Sequence, residues 1–597
     1  MQNLQNNFFW FETNKFDKEN FLSFYFFNPV KIIKLVSPDK LIQFFHSLES
    51  LTKKYYVAGF FSYELGYLFE EVFKYKKRFG FPYAIFCAYE KPIIFDHKCN
   101  KFISKEINNI YQQPLSYKIK NLRLNIAEEE YIEKIKKIKD YIYRGDIFQA
   151  NYTIKYKFDF SGSALGLYLD LKYKQKVSYN VFAKLNDYYI LSLSPELFFY
   201  KDKDYIKVKP MKGTIKRGCN IYEDKKNILY LQNDEKNQSE NVMIVDLLRN
   251  DLGKISKYGS VKVSKLFEIE KYNTLFQMTS TIESKLSKGI SLYELIKSIF
   301  PSGSVTGAPK IRSMEIIKEL EKEERKVYTG AIGFFEPTGK AKFNVAIRTI
   351  LIQKNKGEMG VGSGIVYDSS PEKEFEESKL KAYFLIKKPV KNFSLIETIL
   401  FDKNFKYLNL HLKRLKESAE YFDFKFNKKE ILSKINEISQ ILVSGKYKVR
   451  ILLNSAGQVK ISYEKINNSF KTYRLKISKY RTNSNDTFYF HKTTNRELYE
   501  SELKKARNKG FFDIIFLNEK DEVTEGAITN IYIKKNGIIY TPPVKCGLLN
   551  GIMRQVLIKR YKMKEEIITL KDLKQADEIY ISNSIINFQK ALLQIKQ

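Results

Sequence analysis

PSGSVTGAPKIRSMEII, residues 301–317, is the stretch on which the reading of this chain turns. Small residues, a proline and a lysine run into a helical pattern, the make-up of an anion-accepting helix start. A nucleotide phosphate is excluded by spacing. A P-loop needs GxxxxGK followed by Ser or Thr, whereas Pro309 precedes Lys310 here and Ile311 follows it, and only Ser304, Val305 and Thr306 separate Gly303 from Gly307. The pattern predicts Pro309 at the first helical position, with the Ser304 and Thr306 hydroxyls close to unpaired N–H groups. A carboxylate suits such a site. An ordinary capped helix after a Gly-rich turn accounts for the same residues.

At 597 residues the chain exceeds one core, which suggests about three or four domain-sized units. A hydrophobic content of 44% with 15% aromatics describes a globular chain, not a disordered one. The formal charge of +35 raises a nucleic-acid or acidic-membrane partner. The lysines are dispersed, however, with no basic block, zinc-knuckle spacing or RNP-type signature, so solvated lysine-rich faces are the expectation and no nucleic acid is expected as a partner. Cys87, Cys99, Cys219 and Cys546 form neither a CxxC pair nor a disulfide framework, which fits a reducing compartment. The opening MQNLQNNFFWFETNKFD lacks the basic start and apolar core of a signal peptide, and no run of about 18 apolar residues appears. The expectation is a soluble, cytoplasmic protein with no membrane partner.

Helical spacing of Tyr131, Ile135, Ile138 and Ile142 runs up to Gly145, and YIKVK at 205–209 alternates like a strand. In FLIKKPVKNFSLIETILF, residues 384–401, a helical stretch ends near Ile386, Pro389 breaks the pattern and a strand-like run begins. This places a boundary near 390 and predicts domains at 1–388 and 390–597.

Upstream of that boundary, Glu240 lies one helical turn from Asn237 and beside an apolar stripe of Val242, Ile244, Val245 and Leu248. Glu374, Glu377 and Lys381 fall at i, i+3 and i+7, on one helix face. Two carboxylates from separate helices suit Mg²⁺, and taken singly each also reads as a surface salt-bridge residue.

With GFFSYELG (59–66), GDIFQANYT (145–153), SPELFF (194–199), PMKGTIKRG (210–218), ENVMIVDLLRNDLG (240–253), YTGAIGFF (328–335), FNVAIRT (343–349) and GVGSGIVYDSSPEKEFEE (360–377), these segments resemble the chorismate-utilising enzymes. That family comprises the anthranilate synthase and aminodeoxychorismate synthase large subunits. The likeness runs from about residue 55 to 385 and implies an α+β domain whose antiparallel sheets enclose the site. It implies chorismate, a dicarboxylate, as the ligand of the Gly-rich loop. Glu240 and Glu377 would hold Mg²⁺, with Glu374 nearby as an acid group. Arg348 and Tyr328 would grip the enolpyruvyl carboxylate, helped by backbone at Gly364; a guanidinium fork suits that task. Ser304 and Lys381 match positions that line the family site.

PMKGT separates the chemistries within the family. Anthranilate synthases usually show alanine where Lys212 stands, and aminodeoxychorismate synthases show lysine. Lysine is a nucleophile once deprotonated, so the resemblance implies that Lys212 adds at C2 of chorismate as the 4-hydroxyl leaves, ammonia then entering at C4. A structural lysine on a strand edge is the alternative. Two departures stand out. Many relatives carry an acid where Asn237 stands, and often a histidine in the segment reading NTLFQMTSTI here, where Phe276 and Gln277 cannot donate a proton at neutral pH. No nucleophilic-cysteine elbow of a glutamine amidotransferase is present, so ammonia is expected from a separate glutamine amidotransferase subunit or from solution.

After 390 the chemistry changes. HLKRLKESAEYF (411–422) starts an amphipathic helix, and FHKTTNRELYE (490–500) presents a lysine after an aromatic strand. EVTEGAITNIYI (522–533) and GLLNGIMRQVLI (547–558) supply two Gly turns. A Schiff-base lysine, a carboxylate for a pyridinium nitrogen and a cation for a phosphate are what pyridoxal phosphate requires. Arg414 alone reads as a helix-surface charge and Lys492 as an exposed strand end. In this order the segments resemble the fold-type IV pyridoxal phosphate enzymes, a smaller α+β unit of two subdomains that commonly dimerises, so a homodimer through this half is expected. The resemblance assigns Lys492 the covalent attachment and proton shuttle, Glu525 the pyridine nitrogen, and Arg414 the phosphate with backbone at Ile552 and Met553. Many relatives have threonine where Met553 stands. NGIMRQ and ADEIYISNS look most like the aminodeoxychorismate lyases, with Thr398 and Asn583 as active-site contacts. Fused, the two halves imply synthesis of 4-aminobenzoate for folate; the alternative is an anthranilate-type synthase joined to a fold-type IV aminotransferase.

Overall fold

The computed structural model describes residues 7–73, 80–103, 115–386, 392–442, 444–466 and 472–594. The chain divides into two compact units, Met1–Lys216 with Ile228–Val390, and Arg217–Asn227 with Lys391–Gln597. The boundary expected near 390 lies within 387–391, outside the described residues. Among the described residues no helix is long and apolar enough to cross a membrane.

The first unit is built on two antiparallel sheets. One runs in the order Gly307–Ala308, Gln149–Gly162, Lys356–Ile365, Thr349–Gln353, Tyr188–Ser194, Tyr179–Leu185, Phe8–Glu12, Leu22–Phe26 and on through Ile93–Asp96. The other runs Met211–Lys216, Leu275–Lys285, Tyr205–Lys209, Leu197–Asp202, Lys340–Val345, Ala331–Phe335, Tyr56–Phe61, Ala84–Tyr89 and Lys31–Leu35. The strand Phe8–Glu12 shows why the sequence reads as continuously apolar. Phe9 enters the core between the sheets, while Phe8 and Trp10 enter a second core under the helices, so both faces are covered and both alternating sets must be hydrophobic. Aromatic contacts such as Phe11–Phe334 and Phe24–Phe334, with ring centroids 5.0 and 4.8 Å apart, join the two sheets.

The expected helix forms over Glu128–Tyr143 with Tyr131, Ile135 and Ile138 buried, and the expected strand forms at Tyr205–Lys209 with alternating burial. Helices Glu235–Gly253 and Pro371–Ile386 carry the two acidic segments. Val242 departs from the stripe read for it: it is exposed, while Ile244, Val245 and Leu248 lie on the buried face with Asn241, Asp251 and Leu252. Pro309 is the N-cap of helix Lys310–Leu320, not its first residue.

The second unit contains two sheets. A four-stranded antiparallel sheet, in the order Asn404–Phe405, Leu395–Asp402, Lys446–Leu453, Val459–Lys465, is covered on one face by helices Leu408–Phe422 and Lys428–Ile441 through Leu395, Ile399, Leu412, Leu415, Ile431 and Ile451. An eight-stranded mixed sheet runs from Val523–Gly526 through Asp513–Asn518, Tyr473–Thr482, Asn587–Leu593, Glu578–Asn583 and Asn530–Lys535 to two further strands. Glu525 pairs with Asn530, which closes six of its strands into a ring. The aromatic run before Lys492 is not a strand but a 3-10 turn, Thr487–Tyr489.

Candidate active sites of the two units

In the first unit, sheet register assembles the site. Ala308 pairs with Gln149, and Gly364 with Asn151, so the long strand Gln149–Gly162 brings the Gly-rich loop and Gly364 to either side of Gln149. Gly307 is obligatory for the loop: a Cβ there would lie 2.1 Å from the Gln149 carbonyl oxygen. On the other sheet, the pairing of Met211 with Thr279 and of Thr214 with Gln277 shifts register between them. Lys212 and Gly213 occupy that irregularity, and Gly213 adopts φ +88° with Asn237 and Met278 packed against it. Bulges of this kind re-aim a side chain.

Lys212 is thereby turned inward. A Cβ on Gly364 would stand 2.9 Å from its Nζ and 2.3 Å from Nε2 of Gln149. Burial lowers the Lys212 pKa, against the opposing charges of Glu240 and Glu196, and Lys381 lowers it further. Asn241 Nδ2 donates to the Lys212 carbonyl at 3.3 Å while its Oδ1 accepts from Ser280, which ties the Glu240 helix to the Lys212 strand. Gln277 Nε2 donates to the Gly213 carbonyl at 2.9 Å, and Phe276 is buried in a small apolar cluster. The two residues that stand where a histidine often does thus brace the bulge.

Glu240 feels the charges of Glu374 and Glu377. Burial raises the Glu240 pKa; Lys212 and Lys236 oppose the rise, and Glu374 and Glu377 add to it. Glu377 is exposed and pairs with Lys381 at 2.8 Å, and Lys381 also donates to the Gly362 carbonyl. Glu374 accepts from Ser369 Oγ at 2.9 Å. Among the described residues no cluster of three or more His, Cys, Asp or Glu side chains is set to hold a metal ion; Glu240 and Glu377, on separate helices, are the two carboxylates that would hold Mg²⁺, which usually takes one or two protein carboxylates and completes its shell with substrate oxygens and water.

The opening loop is wired differently from its expectation. Ser304 Oγ donates to Glu196 Oε1 at 2.6 Å and Thr306 Oγ1 to the Ser302 carbonyl at 3.1 Å, so neither hydroxyl serves the helix start, and Lys310 is paired with Asp251. Tyr328 is buried, its phenol pushed well above the usual range by burial, and its ring fills the space over Gly360. Arg348, at φ +50°, donates to Gln175 Oε1 at 2.7 Å. Among the described contacts none joins Tyr328 to Arg348.

Two residues of this site escaped the sequence reading. Glu196, in SPELFF, is buried, and burial pushes its carboxyl up to about 7 against the Ser304 hydrogen bond and the Lys212 charge. Gln149, in GDIFQ, has both side-chain amide atoms buried without a hydrogen-bond partner among the described residues. The available signal was a polar residue inside an otherwise apolar strand pattern.

The second unit holds a cavity of about 600 Å³, and Thr398, Arg414, Lys492, Glu525, Ile552 and Asn583 all line it. Lys492 follows the 3-10 turn, its carbonyl accepting from the Ile396 N–H at 2.8 Å. Burial brings its pKa down to about 7, with Arg496 and Arg414 adding to the fall. Glu525 is buried beside Tyr499 and Asn530, each 3.4 Å away, and burial pushes its carboxyl up to about 8 against a backbone N–H from Leu549 and the charges of Arg496 and Lys492. Arg414 is not a surface charge. Its Nε and Nη2 donate to the two oxygens of buried Glu397 at 2.8 and 2.7 Å, and Glu397 also meets His411 Nδ1 at 2.6 Å.

Gly551 caps helix Ile552–Tyr561, and a Cβ there would lie 2.1 Å from Asn530 Oδ1. The Met553 side chain packs with Tyr532, Leu557 and Met563, which leaves only its backbone for a ligand. Asn583 shapes its own turn by accepting from the Ile585 and Ile586 N–H groups. A readily deprotonated lysine, a buried carboxylate that gains from a cationic partner, and a fixed guanidinium beside a helix N-terminus fit pyridoxal phosphate. Glu397, His411 and Arg496 are the parts of this site missed in the sequence.

The chain belongs to the chorismate binding enzyme family, whose model matches residues 6–387. Residues 394–591 match the model of amino-transferase class IV, so a chorismate-binding domain is followed by a class IV aminotransferase-like domain. The chain is 34% identical over 337 residues to anthranilate synthase component 1 of Lactococcus lactis subsp. lactis (strain IL1403), covering 52% of this chain and 74% of that one. It is 37% identical over 263 residues to aminodeoxychorismate synthase component 1 of Escherichia coli (strain K12), covering 44% and 58%, and 39% identical over 257 residues to that of Bacillus subtilis (strain 168), covering 43% and 55%. The match thus spans little more than half the length of the last two. The crystal structure of anthranilate synthase component I from Streptococcus pneumoniae TIGR4 superposes with a TM-score of 0.54 at 27% identity, covering 62% of this chain and 94% of that one.

Proposed function

We propose that the chain converts chorismate to 4-aminobenzoate and pyruvate in two steps, one in each unit. The observation that carries this reading is Lys212, an inward-turned, half-buried amine of lowered pKa at the position where anthranilate synthases usually show alanine. Relatives named for both activities resemble the first unit, so their names alone do not choose between them.

In the first step the Lys212 amine forms a bond to C2 of the ring, the ring double bonds shift, and the C4–O bond breaks. Glu196, held near neutrality by burial, supplies the proton with which the hydroxyl leaves as water. Ammonia then bonds to C4 and the C2–N bond breaks, returning Lys212 as an amine and leaving 4-amino-4-deoxychorismate. Glu240 and Glu377 would hold Mg²⁺ against the ring carboxylate. Tyr328, Arg348 and the Gly364 backbone bind the enolpyruvyl carboxylate, while Ser304 fixes Glu196 and Lys381 fixes Glu377. Glu374 completes the acidic group. Ammonia comes from a separate glutamine amidotransferase partner.

In the second unit, bound pyridoxal phosphate supplies an electron sink. Lys492 takes the proton from the ring carbon that bears the amine, enolpyruvate departs from the neighbouring carbon, and the ring becomes aromatic. Glu525 would hold the pyridine nitrogen, Arg414 and the backbone at Ile552 and Met553 would hold the phosphate, and Thr398 and Asn583 would contact the substrate. The reading includes a homodimer through residues 390–597, which a monomer by light scattering would contradict. Incubating the purified chain with chorismate, ammonia, Mg²⁺ and pyridoxal phosphate tests the whole: 4-aminobenzoate with equimolar pyruvate is expected, and anthranilate would establish an anthranilate-type synthase instead.

A further inference from the structure

The four-stranded sheet of the second unit covers its helices with one face and walls the cavity with the other. Thr398 and Arg450 are cross-strand partners, and both line the cavity together with Ile396 and Lys448. Their strand neighbours Ile399 and Ile451 enter the core under the helices, as alternation requires. Glu397 leaves the opposite face of the strand from Thr398, and it is Glu397 that holds Arg414. Arg450, rising from one face of the sheet, and Arg414, held by Glu397 from the other, therefore reach one cavity, which Arg496 and Arg507 also line.

Their partners differ. Arg414 is committed to Glu397, and Arg496 donates to the Ala527 carbonyl. Arg450 has a buried Nε without a hydrogen-bond partner among the described residues. The residue opposite it on the far strand is Ser462, and the carboxylate beyond, Glu464, is taken by Lys448 at 2.6 Å. A buried donor that has lost water and gained nothing is held at a cost that a ligand acceptor would relieve.

We propose that Arg450 anchors a substrate carboxylate in the second unit. The ligand class is an aromatic or cyclohexadienyl amine with a carboxylate across the ring from its nitrogen: the amine lies at Lys492, and the anion lies on the sheet away from Arg414. Arg414 and the helix start at Ile552 already provide for a phosphate, so a second, unpartnered guanidinium in the same cavity serves a second anion. The inference rests on the lyase reading and names what selects its substrate.

The test uses the full chain loaded with pyridoxal phosphate, with 4-aminobenzoate and aniline as probes, read through the visible absorbance of the bound cofactor so that only the second unit reports. A charge-assisted pair predicts about 10- to 100-fold tighter binding of 4-aminobenzoate than of aniline. Arg450→Gln is expected to bring the two within about threefold, to leave cofactor affinity unchanged, and to raise KM for pyruvate release at least about tenfold with kcat within about threefold. Arg450→Lys, which keeps the charge, is expected to restore part of the preference. A preference that survives in Arg450→Gln, or is absent from the wild type, would overturn the proposal. So would a tenfold loss of cofactor affinity, which would put Arg450 at the phosphate. A wild type that releases no pyruvate from aminodeoxychorismate, yet loses its carboxylate preference in Arg450→Gln, would retire the lyase reading and keep the anchor.

Discussion

Lys212 and Gly364 come so close that the amine nitrogen stands 2.9 Å from where a Cβ on residue 364 would be. Two strands from different sheets meet at that point, and glycine is what lets them. The atoms a methyl group would meet are the far ends of Lys212 and Gln149, which can move without disturbing the backbone. Gly364→Ala is therefore expected to fold normally and lower chorismate amination by about 100-fold, the scale of an ångström misplacement of a reacting group. Pyruvate release from supplied aminodeoxychorismate should be unchanged. Equal loss of both activities would show a global defect instead.

Glu196 offers a test of proton delivery. Because burial raises its carboxyl to about 7, the donor form is present below that pH and is lost as pH rises through it. The turnover of the amination step is expected to fall on the alkaline side of about pH 7. Glu196→Gln should lose about 10²- to 10⁴-fold and the pH dependence with it. An unaltered profile in the variant would remove Glu196 from the reaction.

Lys492 gives the opposite sign. With its pKa brought down to about 7 by burial, the neutral amine that reacts with an aldehyde predominates above that pH. Stopped-flow capture of pyridoxal phosphate by the cofactor-free protein should accelerate as pH rises to about 7 and then level off. A rise centred near 10, as for an exposed lysine, would contradict the buried environment.

Glu397 is the support on which Arg414 depends. Burial alone would raise its carboxyl, but the Arg414 guanidinium, with His411, more than offsets this and holds it down at about 2. Glu397→Ala leaves a buried cation unpaired, at a cost of about 3–5 kcal/mol. Calorimetry should show the transition of the second unit moving to lower temperature while that of the first stays in place.

Much of this molecule was legible because periodic burial writes itself into sequence. Tyr131, Ile135 and Ile138 mark one helix face, YIKVK one strand, and PMKGT and the 360–377 segment the residues that converge on Lys212 and Glu240. What stayed hidden depends on register between distant residues. The bulge at Lys212 exists only against Gln277 and Thr279, more than sixty positions on, and Gln149 meets Gly364 across a ladder of even longer range. Arg450 looks like a solvated charge on an alternating strand until the second subdomain closes a cavity over it. Local punctuation misled in smaller ways: Pro309 caps a helix without entering it, and the aromatic run before Lys492 coils into a 3-10 turn because Asp486 accepts from the Phe488 N–H.

Product analysis of Lys492→Ala beside the wild type tests the two-step assignment most directly. Supplied with chorismate, ammonia, Mg²⁺ and pyridoxal phosphate, the wild type is predicted to yield 4-aminobenzoate, and the variant to accumulate 4-amino-4-deoxychorismate without pyruvate. Undiminished 4-aminobenzoate from the variant, or anthranilate from either protein, would contradict the account.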